Sequence, residues 1–103
     1  MSILEILSII PARGGSKGIP LKNLAKINGK PMLYYTINSS LKSTFITRTI
    51  VSTENKKIAT VAQKLGAEIV QRPKKLAVDS TLLEPVVDHV LSYLERKEKY
   101  VPD

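Results

Sequence analysis

Residues 3–23 read ILEILSIIPARGGSKGIPLKN, and this stretch decides the fold. Its first part, residues 3–10, is apolar at every position except Glu5 and Ser8. An almost continuously apolar run of this kind is typical of a central strand in a parallel sheet, buried on both faces. The loop that follows, residues 11–21, contains three glycines and two prolines. We therefore predict a strand that ends in a loop at the carboxyl edge of a sheet, where open α/β folds bind ligands.

Strands and helices alternate along the rest of the chain. Residues 28–29, Asn-Gly, predict a turn, and Pro31 predicts the start of a helix that runs to about Lys42. Residues 47–52, TRTIVS, are rich in β-branched side chains and predict a second strand. Residues 67–71 predict a third strand, so the periodicity indicates a parallel sheet with helical crossovers.

Two further helices are predicted on either side of the third strand. The first would begin at Thr53 as its N-cap and end near Gly66. The second follows residues 81–84, TLLE, which have the capping-box pattern. Apolar residues at helical spacing are Ile58, Val61, Ala62 and Leu65 in the first helix and Val86, Val87, Val90, Leu91 and Leu94 in the second. The order β-loop-α-β-α-β-loop-α predicts one domain over residues 1–103, a three-layer α/β/α Rossmann-like parallel sheet.

The first strand raises a conflict with this architecture. In the usual doubly wound order it lies between the second strand and a fourth. The sequence ends at Asp103, about where a fourth strand would begin. An apolar strand at an exposed edge is an aggregation hazard. We therefore expect the sheet to be incomplete: either the sequence is a fragment, or a partner covers this edge.

Composition narrows the functional classes. The chain carries a formal charge of +7 with a pI near 9.8, which favours anionic partners. There is no cysteine, which excludes disulfides, thiol nucleophiles and cysteine-based zinc sites. The sequence shows neither a membrane-length apolar run nor a signal-peptide pattern, so a cytoplasmic protein that binds no membrane is expected. With one phenylalanine and no tryptophan, nucleic-acid binding by aromatic stacking is not expected.

The loop after the first strand has the composition of a phosphate cradle. Glycines permit close backbone approach, and consecutive N–H groups can form a nest for an anion. Arginine offers a planar fork to phosphate oxygens, whereas lysines act as point charges and serine adds a hydroxyl. These residues are Arg13, Gly14, Gly15, Ser16, Lys17, Gly18 and Lys22. Their spacing matches neither G-x-x-x-x-G-K-[ST] nor G-x-G-x-x-G, so composition alone leaves an ordinary surface turn as an equal alternative.

The literal sequence of residues 11–23, PARGGSKGIPLKN, closely resembles the opening motif of the CMP–sialic acid synthetases, or acylneuraminate cytidylyltransferases. Supporting matches are residues 28–32 (NGKPM), 50–53 (IVST), 72–73 (RP) and 76–81 (LAVDST). The resemblance extends over nearly the whole chain and corresponds to the N-terminal half of the family. It implies a nucleotide-binding domain whose sheet is of the nucleotide-diphospho-sugar transferase type.

This resemblance implies transfer of CMP from CTP to the anomeric hydroxyl of a nine-carbon sugar acid of the sialic-acid type, with release of pyrophosphate. Arg13 and Lys22 would be catalytic, because they would hold the phosphates and offset their charge. Asn23 would contact the nucleotide, and Arg72 would lie near the cytosine. The other expected nucleotide contacts are Gly14, Gly15, Ser16, Lys17, Ser80 and Thr81.

The resemblance also implies Mg²⁺, with carboxylate ligands expected beyond residue 103. Most of the sugar pocket and the contacts of a homodimer are expected there too. No pair of acidic residues in this chain stands out as a metal site, and Asp79 is interpreted as a loop or cap residue. Transfer without metal-assisted charge neutralisation would be slow. The 103 residues alone are therefore expected to be inactive or nearly so.

Several alternatives stay open. The substrate could be pseudaminate, legionaminate or 3-deoxy-manno-octulosonate, although residues 16–23, SKGIPLKN, favour the sialate type over the octulosonate type. The chain could also bind nucleotide without catalysis, and Arg72 could cap a surface turn instead of contacting the base. The side chains interpreted as lying outside the site are His89 and Asp88, predicted to be solvent-exposed, and Tyr34 and Tyr35, predicted to pack on the first helix.

Overall fold

The computed structural model describes residues 4–15, 21–78 and 82–103. Short 3-10 helices, Lys22–Leu24 and Lys74–Leu76, lie in the loops after the first and the last strand of the main sheet. The strands and longer helices in chain order are β1 (Leu7–Pro11), β2 (Lys26–Ile27), β3 (Lys30–Pro31), α1 (Met32–Lys42), β4 (Arg48–Thr53), α2 (Lys56–Lys64), β5 (Glu68–Gln71) and α3 (Leu83–Glu98).

The main sheet is parallel, with the strand order β1-β4-β5. Ile10 pairs with Val51, and Val51 pairs with Ile69. β2 and β3 form a separate antiparallel hairpin. Its turn residues Asn28 and Gly29 have φ angles of 52° and 80°, as a two-residue turn of type I′ requires. The predicted parallel sheet and the predicted Asn-Gly turn are both confirmed.

Helices cover both faces of this sheet. Successive residues of a strand point to opposite faces, so Val51 packs with α1 and α2 whereas Ile50 packs with α3. Each fully buried aliphatic side chain stabilises the fold by about 1.5–3 kcal/mol. The first core holds Ile10, Ala12, Leu33, Ile37, Val51, Ile58, Ala62 and Ala67, and the second holds Ile50, Val70, Val90 and Leu94. The three-layer α/β/α prediction is confirmed.

The first strand begins later than predicted. β1 covers Leu7–Pro11 and not residues 3–10, of which residue 3 lies outside the described part. Ahead of the strand, the Ile6 carbonyl accepts from the Thr47 N–H at 2.9 Å, but the Ile6 N–H donates to the Thr47 side-chain oxygen, also at 2.9 Å. A side chain has therefore replaced one backbone partner, and the regular ladder starts one residue later.

β1 lies at an edge of the described sheet, with β4 as its neighbouring strand. Leu7 and Ile9 are partly buried against the core that contains α3. Just ahead of the strand, the Asp103 N–H donates to the Glu5 carbonyl (2.8 Å), and the Glu5 N–H donates to Asp103 Oδ2 (2.7 Å). The expected apolar edge strand is present among the described residues, and the last residue of the sequence binds beside its start.

The prediction that Thr53 caps α2 is wrong. Thr53 is the last residue of β4 and pairs with Gln71 of β5, so the chain leaves the sheet later than the sequence pattern suggests. Asn55 is the N-cap instead. Its Oδ1 accepts from the N–H groups of Lys57 (2.9 Å) and Ile58 (3.1 Å), which the first turn of the helix leaves without backbone partners.

The other helix ends follow the sequence more closely. Pro31 directly precedes α1, and Gly66, with φ of 101°, follows the end of α2. α3 begins after Leu82, whose side chain cannot cap a helix. Thr81 lies outside the described residues, so the capping box stays a prediction. Within the described ranges, no helix is long and apolar enough to cross a membrane.

Candidate functional site

A cavity of about 310 Å³ opens at the carboxyl ends of β1 and β5. Its lining combines cationic and amide side chains from the loops after these strands with apolar side chains, several of them around the start of α3. The lining residues are Pro11, Arg13, Lys22, Asn23, Arg72, Val78, Leu82, Leu83 and Val86. This is the edge at which parallel α/β sheets bind ligands, and it is the edge predicted from the first strand and its loop.

Four of the ten predicted site residues line this cavity together: Arg13, Lys22, Asn23 and Arg72. Gly14 and Gly15 continue the loop beyond Arg13, with Gly14 buried and Gly15 exposed. The remaining predicted residues lie outside the described part of the chain; they are Ser16, Lys17, Ser80 and Thr81. The structure thus brings together residues that are up to 59 positions apart in sequence, from Arg13 to Arg72. The roles of these residues stay predictions.

Backbone hydrogen bonds fix the first arm of the glycine-rich loop. The Ala12 N–H donates to the Ser52 carbonyl (2.9 Å), which continues the β1–β4 pairing beyond the strand. The Leu21 N–H donates to the Gly14 carbonyl (3.0 Å) and joins the two arms of the loop. The segment that carries Arg13 is therefore held to the sheet on one side and to the returning chain on the other.

Lys22 and Asn23 lie on a tight turn in the second arm. Leu21 has φ of 54°, in the left-handed region that a non-glycine residue adopts uncommonly, and this turns the chain into the 3-10 helix Lys22–Leu24. Asn23 Nδ2 then donates to the Arg13 carbonyl (3.4 Å). The two arms are tied together at the positions whose side chains reach the cavity.

The Gly14 amide already has an anionic partner. Its nitrogen lies 2.5 Å from Glu54 Oε1 and 3.2 Å from Glu54 Oε2. A Cβ built on Gly14 would lie 2.7 Å from Asn55 Nδ2, and the φ of Gly14 is not positive. Packing, and not an unusual backbone angle, therefore requires glycine here. The Gly14 N–H of the predicted anion nest is bound to Glu54 in this structure.

Arg72 is one of the most buried charged side chains, with 4% of its surface exposed. Its Nε donates to Ser52 Oγ (3.2 Å), Nη2 to the Ser52 carbonyl (3.1 Å), and Nη1 to the Leu76 carbonyl (3.3 Å). It thus ties the 3-10 helix Lys74–Leu76 to β4, which fits the alternative that it stabilises the turn after β5. Because it also lines the cavity, this structural role and the predicted contact with a base are compatible.

Charges of both signs act on Arg72. Burial lowers its pKa from the ordinary value, Glu54 opposes that shift, and the nearby charge of Arg13 lowers the pKa further. The charged side chains that line the cavity are Arg13, Lys22 and Arg72, and a cleft lined by one sign of charge attracts ions of the opposite sign. The cavity therefore has the charge expected of a phosphate site.

His89 is not solvent-exposed, contrary to the prediction. Its ring is partly buried on α3, and Nδ1 is inaccessible to solvent with no hydrogen-bond partner among the described residues. Burial lowers the pKa of His89, and the charges of Arg96, Arg72 and Lys75 lower it further. The helical periodicity places His89 away from the Val–Leu stripe, but the charges of Arg72 and Lys75, which lie after the last strand residue of β5, act on it in the fold, which periodicity cannot show. Asp88 is exposed, as predicted.

The two adjacent tyrosines do not line the cavity. The Tyr35 hydroxyl donates to the Ile27 carbonyl (2.6 Å), and Lys30 Nζ lies 4.7 Å from the centre of the Tyr34 ring. The tyrosines hold the β2–β3 hairpin against α1. This confirms that they are packing residues of the helix.

Two further residues belong to the site and were not predicted from the sequence. Glu54 binds the Gly14 amide, and Ser52 accepts two hydrogen bonds from Arg72 and one from Ala12. Both lie at the carboxyl end of β4, between the two loops that line the cavity. The strand order β1-β4-β5 places the end of β4 between these loops. In the sequence, Ser52 belonged to the supporting match of residues 50–53, and no motif included Glu54.

Comparison with known proteins identifies several similar chains. The sequence is 36% identical over 96 residues to the N-acylneuraminate cytidylyltransferase of Escherichia coli O18:K1:H7, covering 93% of this chain and 23% of that protein. It is 44% identical over 88 residues to the CMP-N,N'-diacetyllegionaminic acid synthase of Campylobacter jejuni, covering 84% of this chain and 37% of that protein. It is 37% identical over 97 residues to the pseudaminic acid cytidylyltransferase of C. jejuni, covering 93% of this chain and 42% of that protein. The chain thus spans less than half the length of each of these relatives.

The fold is also similar to that of a solved structure. The structure of CMP:2-keto-3-deoxy-manno-octonic acid synthetase complexed with CTP superposes with a TM-score of 0.71 at 23% sequence identity, covering 92% of this chain and 36% of the other. This likeness shows the Rossmann-like α/β fold. The sequence profile of the family described as Cytidylyltransferase matches residues 7–101. The chain therefore belongs to the cytidylyltransferase family.

Proposed function

We propose that this chain binds CTP in the cavity at the carboxyl ends of β1 and β5. It would do so as the nucleotide-binding part of a cytidylyltransferase that activates a sugar acid of the sialic-acid type. The observation that carries the proposal is the convergence of Arg13, Lys22, Asn23 and Arg72 on one cavity. The first three come from the motif whose resemblance predicted CTP binding, and the fourth comes from an independent loop.

The two kinds of side chain that line the cavity suit the two parts of a nucleotide. Phosphates would lie against Arg13 and Lys22, which offer charge-assisted hydrogen bonds. The apolar side chains of Val78, Leu82 and Val86 provide a surface for the base or the ribose. A volume of about 310 Å³ lies at the lower end of the range for small-molecule sites. The cavity is therefore large enough for part of the nucleotide, with the triphosphate extending along the basic loop.

The proposed reaction is a nucleotidyl transfer. The anomeric oxygen of the sugar acid attacks the α-phosphorus of CTP and forms a new P–O bond. The bond between the α-phosphorus and the oxygen that bridges it to the β-phosphorus breaks, and pyrophosphate leaves with that oxygen. The hydroxyl proton is released to solvent. Arg13 and Lys22 would orient the phosphates and offset negative charge that builds up on them in the transition state.

The resemblance implies Mg²⁺, but the described residues do not fit a metal site. No three His, Cys, Asp or Glu side chains come together within residues 4–15, 21–78 and 82–103. The carboxylate nearest to the loop, Glu54, is engaged by the Gly14 amide. We therefore assign no step to a metal held by these residues. We propose that the 103 residues by themselves bind CTP without measurable formation of a CMP–sugar.

The identity of the sugar acid is a separate, more specific proposal. The similar proteins are named for N-acylneuraminate, legionaminate and pseudaminate, so the relatives support an acidic nine-carbon sugar as a class. We propose the sialate type over the 3-deoxy-manno-octulosonate type on the basis of residues 16–23, which do not separate sialate from pseudaminate or legionaminate. The protein from the complete reading frame should be assayed with CTP, Mg²⁺ and a panel of N-acetylneuraminate, diacetyllegionaminate, pseudaminate and 3-deoxy-manno-octulosonate. A preference for 3-deoxy-manno-octulosonate would contradict this assignment, and the other three sugars decide among the alternatives that residues 16–23 leave open.

Calorimetric titration tests nucleotide binding by the chain. We expect CTP to bind more tightly than UTP, because an arginine at the base would donate to the cytosine carbonyl and ring nitrogen, whereas uracil presents an N–H at that nitrogen. Equal binding of the two nucleotides would contradict the predicted base contact of Arg72. If neither nucleotide binds, the proposed function is wrong.

A further inference from the structure

We propose that Glu54 is a positioning residue that fixes the phosphate-binding loop through the Gly14 amide, an inference that rests on the proposed function. The Gly14 nitrogen is 2.5 Å and 3.2 Å from the two oxygens of the Glu54 carboxylate. Hydrogen bonds to an ionised acceptor are about twice as strong as neutral ones. The contact joins residues 40 positions apart in sequence and links the loop after β1 to the end of β4.

Rigid elements hold Glu54 on both sides. Thr53 before it is the last residue of β4, and Asn55 after it caps α2. The Asn55 N–H donates to Thr53 Oγ1 (3.1 Å), so the short connection between strand and helix is itself hydrogen-bonded. The Asn55 side chain also fills the space beside Gly14. The carboxylate is therefore presented to the loop from a fixed backbone, and the loop can approach closely because residue 14 has no side chain.

Fixing Gly14 also fixes the cationic groups on both arms of the loop. Arg13 is the neighbouring residue, and the Gly14 carbonyl accepts from the Leu21 N–H (3.0 Å) immediately before Lys22. Asn23 Nδ2 donates to the Arg13 carbonyl (3.4 Å). Glu54 thus acts through Gly14 on the placement of two side chains that would hold the phosphates. It is not a catalytic residue, because it would not touch the substrate.

The sign of the effect on CTP binding separates this inference from simple electrostatics. A carboxylate near the phosphates repels them, so its removal should tighten CTP binding if charge alone mattered. If Glu54 positions the loop, its removal should instead weaken binding, because the competent loop conformation becomes a smaller fraction of the population. The two explanations predict opposite changes for the same substitution.

The experiment compares Glu54→Ala and Glu54→Gln with a charge-matched control, Asp88→Ala, at an exposed position on α3. CTP affinity is measured by calorimetry, and amide exchange by NMR. We expect Glu54→Ala to weaken CTP binding roughly ten-fold. Glu54→Gln keeps an acceptor oxygen and should fall between Glu54→Ala and wild type. Asp88→Ala removes the same charge and should not weaken binding.

Amide exchange provides a readout that a loss of overall stability would not mimic. In Glu54→Ala the Gly14 amide should lose protection, while the Ala12 amide, bound to the Ser52 carbonyl at 2.9 Å, should keep it. A general loss of stability would expose both amides together. If Glu54→Ala does not fold, Glu54→Gln decides: it should keep Gly14 protected and should bind CTP more weakly than wild type.

Tighter or unchanged CTP binding in the Glu54 variants, with wild type binding normally, would overturn the positioning role alone. So would an unprotected Gly14 amide in the wild-type protein. Wild-type protein that does not bind CTP would overturn the proposed function, and this inference with it, whatever the exchange data show. The two failures are therefore distinguishable.

Discussion

Asn55 occupies the space that a side chain on Gly14 would need: a Cβ at position 14 would lie 2.7 Å from Asn55 Nδ2 and 2.8 Å from Asn55 Cβ. The residue that caps α2 is thus also the residue against which the loop after β1 packs. Because of this contact, position 14 must be glycine. The absence of a side chain there lets the loop approach the end of β4 closely. It also yields a prediction that does not depend on any ligand.

Gly14→Ala should destabilise the protein by about 1–3 kcal/mol, because an added methyl group in a closely packed site forces neighbouring atoms apart. Asn55→Gly should cost only a few tenths of a kcal/mol, since glycine is tolerated at the N-cap. The double variant should recover most of the loss caused by Gly14→Ala. Urea unfolding of the four proteins measures the coupling. Additive losses would show that Asn55 is not the obstacle.

Arg72→Lys should lower the free energy of unfolding by about 1–3 kcal/mol, because a single ammonium cannot replace three hydrogen bonds from a planar guanidinium. The bonds lost are those to Ser52 Oγ, the Ser52 carbonyl and the Leu76 carbonyl. Arg96→Lys, at an exposed position on α3, serves as the control and should change stability by less than about 0.5 kcal/mol. Equal stability of the two variants would argue that Arg72 has no structural role.

Stability should fall as the pH is lowered below about 6.5, the ordinary pKa of histidine. The pKa of His89 is lowered by burial and by the charges of Arg96, Arg72 and Lys75. Between the lowered pKa and about 6.5 the unfolded chain binds more protons than the folded one, so stability rises with pH in this window. Thermal unfolding between pH 5 and pH 7.5 measures the slope. His89→Gln should reduce it, and an unchanged slope would show that other groups are responsible.

Arg48 joins three elements at the end of the sheet that faces away from the cavity. Its guanidinium binds Glu68 of β5 (2.7 Å) and Glu98 of α3 (2.9 Å), and its Cζ lies 4.6 Å from the centre of the Tyr100 ring. Arg48→Ala should cost about 1 kcal/mol because both carboxylates are partly exposed, and high salt should reduce the difference from wild type. CTP affinity should not change. A change in affinity would show that this end of the molecule is coupled to the site.

The sequence predicted the layers and the location of the cavity because those features depend on local periodicity and on where parallel strands end. The apolar run before Pro11 and the apolar stripes of the three helices were sufficient to predict the α/β/α arrangement. The helix cap moved from Thr53 to Asn55 because pairing with β5 decides where β4 ends. Cap preference alone cannot show this, since both residue types are good caps.

The contacts inside the site depend on tertiary structure and were harder to predict. Arg72 was expected to face a base, and the structure adds a buried role that depends on Ser52, which lies 20 positions earlier. Glu54 had no motif to mark it, since its partner is a backbone amide from a different loop. His89 is partly buried although helical periodicity alone placed it on the exposed side. Each of these results from one segment packing on another.

The most direct test of the central claim is an NMR titration of the ¹⁵N-labelled chain with CTP. We predict that the largest amide shift changes occur at residues 12–15, 22–23 and 72, around the cavity that Arg13, Lys22 and Arg72 line together. Residues around Arg48, at the opposite end of the sheet, should change little. Absence of shift changes at saturating CTP, or changes centred away from the cavity, would contradict the account.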